Sequence, residues 1–324
     1  MVGAPTPFRR FVGRHLALVG MPALLILALA FTALIHPEFG SFDVQSLALG
    51  ALPLAMAAAA QAVVVLSGGI DLSVGSLMAV SNVLAASTMQ HASFTQSLLL
   101  AALILVAGAL QGAANGIIVV VSRIPDVVVT LTTGFIWGGV ALLILEKPGG
   151  GAPPEFLDIA AGNLVSPWLP NALIVLVVAV ALIWLPVSRS RFGLLIYAVG
   201  SDRVAAFRSG VGLDSTRILA YVVGGLFSAL GGLALTMTTG IGAPLAGTYY
   251  TLSSVAAIVI GGVRLTGGRG GMVGPVIAAL LLTLIPTDLI FLNIDPNYGQ
   301  VIQGTLIVFV VMVGGFVAVL QSRK

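Results

Sequence analysis

Apolar runs long enough to cross a bilayer recur along this chain, separated by short connections rich in Gly, Pro or charge. The pattern predicts ten of them, roughly 16–35, 44–66, 72–89, 95–121, 126–146, 170–187, 217–239, 250–263, 272–286 and 300–320. A spanning helix needs about 20 mainly apolar residues, and most of the runs meet that length. The shorter late ones are expected to be tilted, kinked or covered by neighbours. The expected fold class is all-α, a polytopic membrane protein of about ten transmembrane helices, with residues 1–324 as a single transmembrane domain.

Composition changes the picture only by closing other routes. Hydrophobic residues make up 58% of the chain and charged ones 8%, against roughly 25% charged in soluble domains. A water-soluble globule is excluded. The basic opening MVGAPTPFRRFVGRH superficially resembles a signal peptide, but the apolar run continues from Leu16 to Ile35 with no small-residue cleavage site at its end. The absence of Cys excludes disulfides, thiolate metal sites and Cys nucleophiles.

Charge then fixes an orientation. Once the runs are taken as spans, Arg9, Arg10, Arg14, Arg123, Arg189, Arg191, Arg203, Arg208, Arg217, Arg264, Arg269, Arg323 and Lys324 fall on one side, and Lys147 alone falls on the other. Cytoplasmic loops favour Lys and Arg, so both termini are expected in the cytoplasm. The net charge of +3 is accounted for by these loops and does not point to nucleic acid. The longest outer connection, 147–169, reads as an ordered loop with a short surface helix. The longest inner one, 188–216, has room for structure of its own. A short helix is expected over 199–211, with Ser201 as N-cap and Gly210 as C-cap, and with Val204, Phe207 and Val211 on one face. That face rests on its own bundle or docks another subunit.

A faint internal echo joins two inner junctions: GGIDLSVG at 68–75 and GGVRLTGG at 261–268. Asp71 reads as the N-cap of the third span. The echo places Asp71 and Arg264 at equivalent positions, so the two are expected either to lie near each other or each to anchor its own helix.

Most chemistry is absent. There is no phosphate-binding loop with its Lys, since GGRGG at 267–271 lacks one. His15, His36 and His91 all fall at span boundaries, so no metal site is expected, and no catalytic constellation is arguable. Ionisable residues inside the spans are nearly missing; Asp71 and Asp126 come closest, and both read as N-caps. Their scarcity argues against an ion-driven carrier, because buried charge is the usual mark of ion coupling. Uncharged polar groups are more plentiful. Gln61, Asn82, Gln111, Asn115 and Thr132, with Ser81, Thr130, Thr133 and Gln303 and the aromatic Phe135 and Trp137, can line a path for an uncharged polar solute such as a sugar, or can join helices. Gln111 and Asn115 share a helix face with Gly108 and Gly112.

At GGIDLSVGS (68–76), AVGSDRVAAFRSGV (198–211) and IVIGGVRLTGGRGG (258–271) the chain resembles the sugar permeases of ABC importers, in the branch that handles ribose, xylose, arabinose and galactofuranose. The likeness covers about residues 15–320 and includes NGIIVVVSRIPDVVVTLTTGFIWGGVALLI at 115–144. Its signature positions are Gly68, Gly69, Asp71, Ser73, Gly75, Gly261, Gly262 and Arg264. The resemblance implies the permease fold of that group, placed in a bacterial inner membrane. It implies a second permease copy, alike or similar, with the translocation path at the shared interface, and two cytoplasmic ATPases that hold the ATP and Mg. It also implies a periplasmic or lipid-anchored sugar-binding protein, and no catalysis or cofactor in this chain. The inner helix would be the coupling helix, with Gly200, Ser201, Asp202, Ala205, Ala206, Ser209 and Gly210 matching the family pattern. The chain departs from that pattern at AAAAQAVVV around Gln61 and at YYTLSS (249–254). A branched-chain amino acid permease shares the fold and is the nearest alternative, with a secondary carrier behind it.

Overall fold

A computed structural model describes residues 7–305 together with 308 and 312, and the side chains from residue 20 onward. Twelve helices follow in order: α1 Pro7–Ile35, α2 Ser41–Leu66, α3 Val74–Met89, α4 Phe94–Ser122, α5 Asp126–Ile144, α6 Pro154–Ala161, α7 Asn171–Arg189, α8 Arg191–Ser201, α9 Arg203–Arg208, α10 Leu213–Thr239, α11 Thr248–Ile260 and α12 Val273–Phe291. A further helical stretch covers 298–305. No strand occurs among the described residues, which carry two isolated bridges, one of them between Gly149 and Gly242. The polytopic helical architecture expected from the apolar runs is the one observed. The tenth expected span, 300–320, lies largely outside the described residues, as do the side chains of Arg9, Arg10, Arg14 and His15, and residues Arg323 and Lys324.

Among the described residues six helices, α2, α4, α5, α7, α10 and α12, are both long and apolar enough to cross a membrane. At 13 residues, α11 reaches only about 20 Å, short of the ~30 Å hydrocarbon core. Every residue of α2 from Ala51 to Leu66 is buried, so α2 forms the centre of the bundle. A helix that is apolar on all sides has nowhere else to go. Its run of four alanines, Ala57 to Ala60, lets its neighbours approach; α10, α12, α11 and α7 all pack on it. The ends of α2, α4, α7 and α11 and the starts of α3, α5, α10 and α12 share one end of the bundle, which also carries Arg123, Arg189, Arg203, Arg217 and Arg264. Lys147 lies at the opposite end, beside the Gly149–Gly242 bridge.

The main partner of α4 is α10, and the seam between them is built from glycine. A Cβ at Gly108 would stand 2.8 Å from the Gly225 carbonyl oxygen, and one at Gly116 would stand 3.0 Å from the Ile218 Cα. A Cβ at Gly112 would overlap the Tyr221 carbonyl oxygen outright. Between helices in lipid there is little hydrophobic drive, so backbones close on each other through small residues spaced one turn apart. The face that Gly108 and Gly112 share with Gln111 and Asn115 is therefore a helix–helix seam.

Gly112→Val should force α4 and α10 apart at an expected cost of about 1–3 kcal/mol, read as a lower melting temperature in detergent. Gly139→Val on α5, where a Cβ meets nothing within 4 Å, should melt like the parent chain.

Candidate functional site

The three stretches singled out by sequence, 68–76, 198–211 and 258–271, meet at the arginine-bearing end of the bundle. Each brings a loop whose backbone geometry follows from its glycines. Ser67 closes α2, and Gly68 follows at φ +81°. The Gly69 amide then donates to the Val64 carbonyl and the Gly68 amide to that of Val65. Helix α11 ends the same way. Gly261 closes it, Gly262 lies at φ +81°, and the amides of Val263 and Gly262 reach back to Ile258 and Val259. These are two copies of one left-handed glycine cap.

The echo is thus real but displaced by one residue. Ser67-Gly68-Gly69 superposes in role on Gly261-Gly262-Val263, so Asp71 is not the counterpart of Arg264. Asp71 is buried while Arg264 is exposed, and the two form no ion pair. Their expected equivalence is therefore corrected.

Between the two caps runs the hinge from α8 to α9. The region 188–216 holds two helices rather than one, broken at Asp202, whose extended backbone (φ −158°) stops α8. Its carboxylate accepts from the amides of Val204 and Ala205. Asp202, not Ser201, is the N-cap of α9. Ser209 closes that helix and Gly210 follows at φ +78°. Ser201 instead donates to the Gly268 carbonyl at 3.3 Å.

Backbone contact welds the hinge, the α2 cap and the α11–α12 loop together. The Gly268 amide donates to the Leu66 carbonyl at 3.1 Å, satisfying an acceptor left open at the end of α2. A Cβ at Gly200 would collide with that same carbonyl, and one at Gly267 would sit 2.8 Å from the Gly68 Cα. Arg203 donates to the Gly68 carbonyl at 2.7 Å, and Tyr197 donates to that of Gly270. Within α9, Ala206 is buried and Ala205 exposed. Val204 and Phe207 are 60% and 68% exposed, so α9 projects an apolar face outward from the weld.

Behind the weld lies a line of polar groups, each donating to the next. The Trp137 ring N–H donates to the Asn115 oxygen at 3.0 Å, and the Asn115 amide donates to Ser73 Oγ at 2.6 Å. The Ser73 hydroxyl and amide both donate to one oxygen of the Asp71 carboxylate. Ser73, not Asp71, precedes the first residue of α3, so Asp71 is not that helix's N-cap; it ties the connection into a turn. Its second oxygen has no partner. Burial pushes its pKa up to about 6, against the Ser73 hydrogen bonds that lower it and with the Asp126 carboxylate adding to the rise. Asp126 is also no N-cap. It is the first residue of α5 and reaches across to Arg217, both oxygens at 2.6 Å from Nη2, while Tyr221 donates to it at 3.1 Å. A Cβ at Gly69 would stand 2.8 Å from that carboxylate. The Gly75 position is closed in the same way, by the Gly247 carbonyl of the turn before α11.

The residues assembled as a solute path do not share a surface. Asn82 is buried and fully used: its amide donates to Thr236 and to the Ile241 carbonyl, and its oxygen accepts from Ala243. It organises a turn at the end opposite the arginines. Asn115 and Trp137 belong to the line just described. Gln61 is buried in α2 with neither amide atom partnered, and the Gln111 oxygen is likewise unpartnered. Thr132 and Phe135 are exposed on α5, with the Thr132 hydroxyl turned back to the Val128 carbonyl. Sequence reasoning missed Arg217 and Tyr221. Tyr221 follows Arg217 by one helical turn, and that (i, i+4) spacing was the available signal.

The family model described as branched-chain amino acid transport system / permease component matches residues 44–311. Among curated relatives, the ribose import permease protein of Haemophilus influenzae is 29% identical, covering 94% of this chain and 95% of its own. The fructose import permease protein of Rhizobium meliloti is 30% identical over 94% and 87%. The galactofuranose transporter permease protein of Escherichia coli K12 is 32% identical over 95% and 92%. No solved structure matches the chain.

Asp71 yields a pH prediction. Its raised pKa means that the folded chain binds this proton more readily than the unfolded one. Folding therefore loses stability as pH rises through about 6 and the buried carboxylate ionises. Asp71→Asn should melt higher than the parent in detergent at about pH 8, with the gap closing below about pH 6. A gap that does not change with pH would show Asp71 to be ordinary.

Proposed function

The chain belongs to the branched-chain amino acid transport system / permease component family, and we propose that it is the membrane-spanning subunit of an ATP-driven importer of a monosaccharide of the ribose kind. It is a multi-pass permease. In this reading it sits in a bacterial inner membrane with its arginine-bearing end in the cytoplasm. ATP and Mg reside on a separate ATPase, a periplasmic or lipid-anchored protein delivers the sugar, and a second permease copy completes the path. Ribose, fructose and galactofuranose permeases among the relatives favour a sugar over the amino acid of the family's description.

The observation that carries the proposal is the weld. Helix α9 stands outside the bundle with Val204 and Phe207 bare, yet its first residue is bonded to the α2 cap and its preceding hinge to the α11–α12 loop. An ATPase gripping α9 would move both loops at once. Closure of the paired ATPases on ATP would then rock the helices that follow, α3 and α12, and open the dimer outward to take sugar from the binding protein. Hydrolysis would return it to the inward-open state. Gly200, Ser201, Asp202, Ala205, Ala206, Ser209 and Gly210 would form and hold this coupling element, and uncharged groups such as Gln61, Gln111, Thr132 and Phe135 would meet the sugar.

Phe207→Glu keeps α9's cap and its bonds, so the protein should reach the membrane at parental levels while losing both the co-purifying ATPase and sugar uptake. Ala205→Trp should behave alike. Uptake of labelled ribose at the parental rate in both variants would remove α9 from the coupling role, and uptake of labelled leucine instead of ribose would move the substrate to the amino acid class.

A further inference from the structure

At the same end of the bundle, beside the weld, a cavity of about 670 Å³ opens between the α4–α5 turn, α9 and the start of α10. Three guanidinium groups line it: Arg123, Arg203 and Arg217. Two carboxylates oppose them, Asp126 and Asp214. Asp126 is consumed by Arg217, and Arg203 uses one N–H on the Gly68 carbonyl. Among the described residues Arg123 has no ion-pair partner, and the Nε of Arg217 is buried without a hydrogen bond. The cavity therefore holds an excess of positive charge and unused donors.

Two further features point to what fills it. Arg123 lies at φ +57° in the left-handed region, where Gly or Asn ordinarily stands after a helix. A long cationic side chain occupies a backbone position that disfavours it. The wall on the same turn is apolar and bare: Val121 is 73% exposed, and Ile124 beside it is exposed as well. A water-soluble ligand has no use for that wall, whereas an acyl chain does.

We propose that this cavity is a site for one anionic phospholipid, its phosphate headgroup held by Arg123 and Arg203 and its chain lying along Val121 and Ile124. The proposal rests on the reading of α4 and α5 as spans whose arginine end faces the cytoplasmic leaflet, where anionic lipids lie and basic cavities between helices take their headgroups. Because Arg203 also bonds the α2 cap, the lipid would brace the base of α9.

The test uses the full-length chain, purified in mild detergent with whatever subunits accompany it. Native mass spectrometry counts retained lipid as phosphatidylglycerol or phosphatidylcholine is added. Phosphatidylglycerol should be held in preference, and Arg123→Gln should weaken its retention about fivefold, the contribution of one arginine near an anionic lipid surface. Retention of phosphatidylcholine should not change. Melting without lipid confirms that the variant is folded; should it fail to fold, loss of phosphatidylglycerol from the parent chain at high salt provides the same reading. Equal retention of the two lipids overturns the site, as does unchanged phosphatidylglycerol retention in Arg123→Gln. Displacement of phosphatidylglycerol by millimolar inorganic phosphate assigns the cavity to a soluble phosphate and overturns the lipid. None of these results bears on ATPase co-purification or sugar uptake, so the importer reading stands or falls separately.

Discussion

Everything at the arginine-bearing end depends on three backbone segments being allowed to touch. Gly68, Gly200, Gly267 and Gly268 bring the α2 cap, the α8–α9 hinge and the α11–α12 loop within van der Waals contact, and a Cβ at Gly200, Gly267 or Gly268 would overlap backbone of a neighbouring loop. Contact at that range lets the Gly268 amide reach the Leu66 carbonyl and Arg203 reach the Gly68 carbonyl. Each of these bonds satisfies an acceptor that the turn into α3 would otherwise leave bare. The glycines that turn the chain are also those that admit the hinge, so a side chain there would disturb cap and weld together.

The same geometry sorts the buried polar side chains that read as a solute path. Inside an apolar bundle a side-chain amide must find partners or leave them to water. Asn82 and Asn115 find theirs completely within the protein, which makes them structural ties. The unpartnered atoms of Gln61, Gln111 and Asp71 are different. Polar atoms buried without a protein partner are sites where water or a solute hydroxyl is favoured, and two of the three lie on α2 and α4 rather than on the exposed face of α5.

Much of this was legible in the sequence and some was not. Spans, the sidedness of the arginines and the short helix of 147–169 follow from apolar run length, charge and turn residues, properties of single segments. The junction loops were legible as a pattern because left-handed caps demand glycine. Their one-residue offset was not, since either register preserves the glycine pair. The capping roles were misjudged for one reason throughout. Asp71, Ser201 and Asp126 stand where an N-cap is sterically ordinary, but each has a partner that outbids the helix end: for Asp71 the local Ser73, and for Ser201 and Asp126 the distant Gly268 carbonyl and Arg217. The break at Asp202 escaped notice because a residue that caps the helix after it can also end the one before it. The Asp126–Arg217–Tyr221 cluster joins residues about 90 positions apart, a separation that no local pattern spans.

The distribution of charge limits how such a machine can be driven. The bidentate pair of Asp126 and Arg217 sits at the junction of α5 and α10, and Asp71 lies in the connection before α3. The six long apolar helices carry their ionisable residues at or near their ends. A carrier coupled to protons or ions places titratable groups where the solute passes, because the ion must be bound and released there. Here the Asp126–Arg217 pair instead lies beside Arg203 at the start of α9, and Asp43 and Asp288 lie near the other end of their helices. In the proposed importer, work would arrive at this chain as displacement of a rigid element rather than as titration of a binding site. On that proposal the element that would receive it is α9, capped by Asp202, bonded through Arg203 to the α2 turn, and left with its apolar side uncovered.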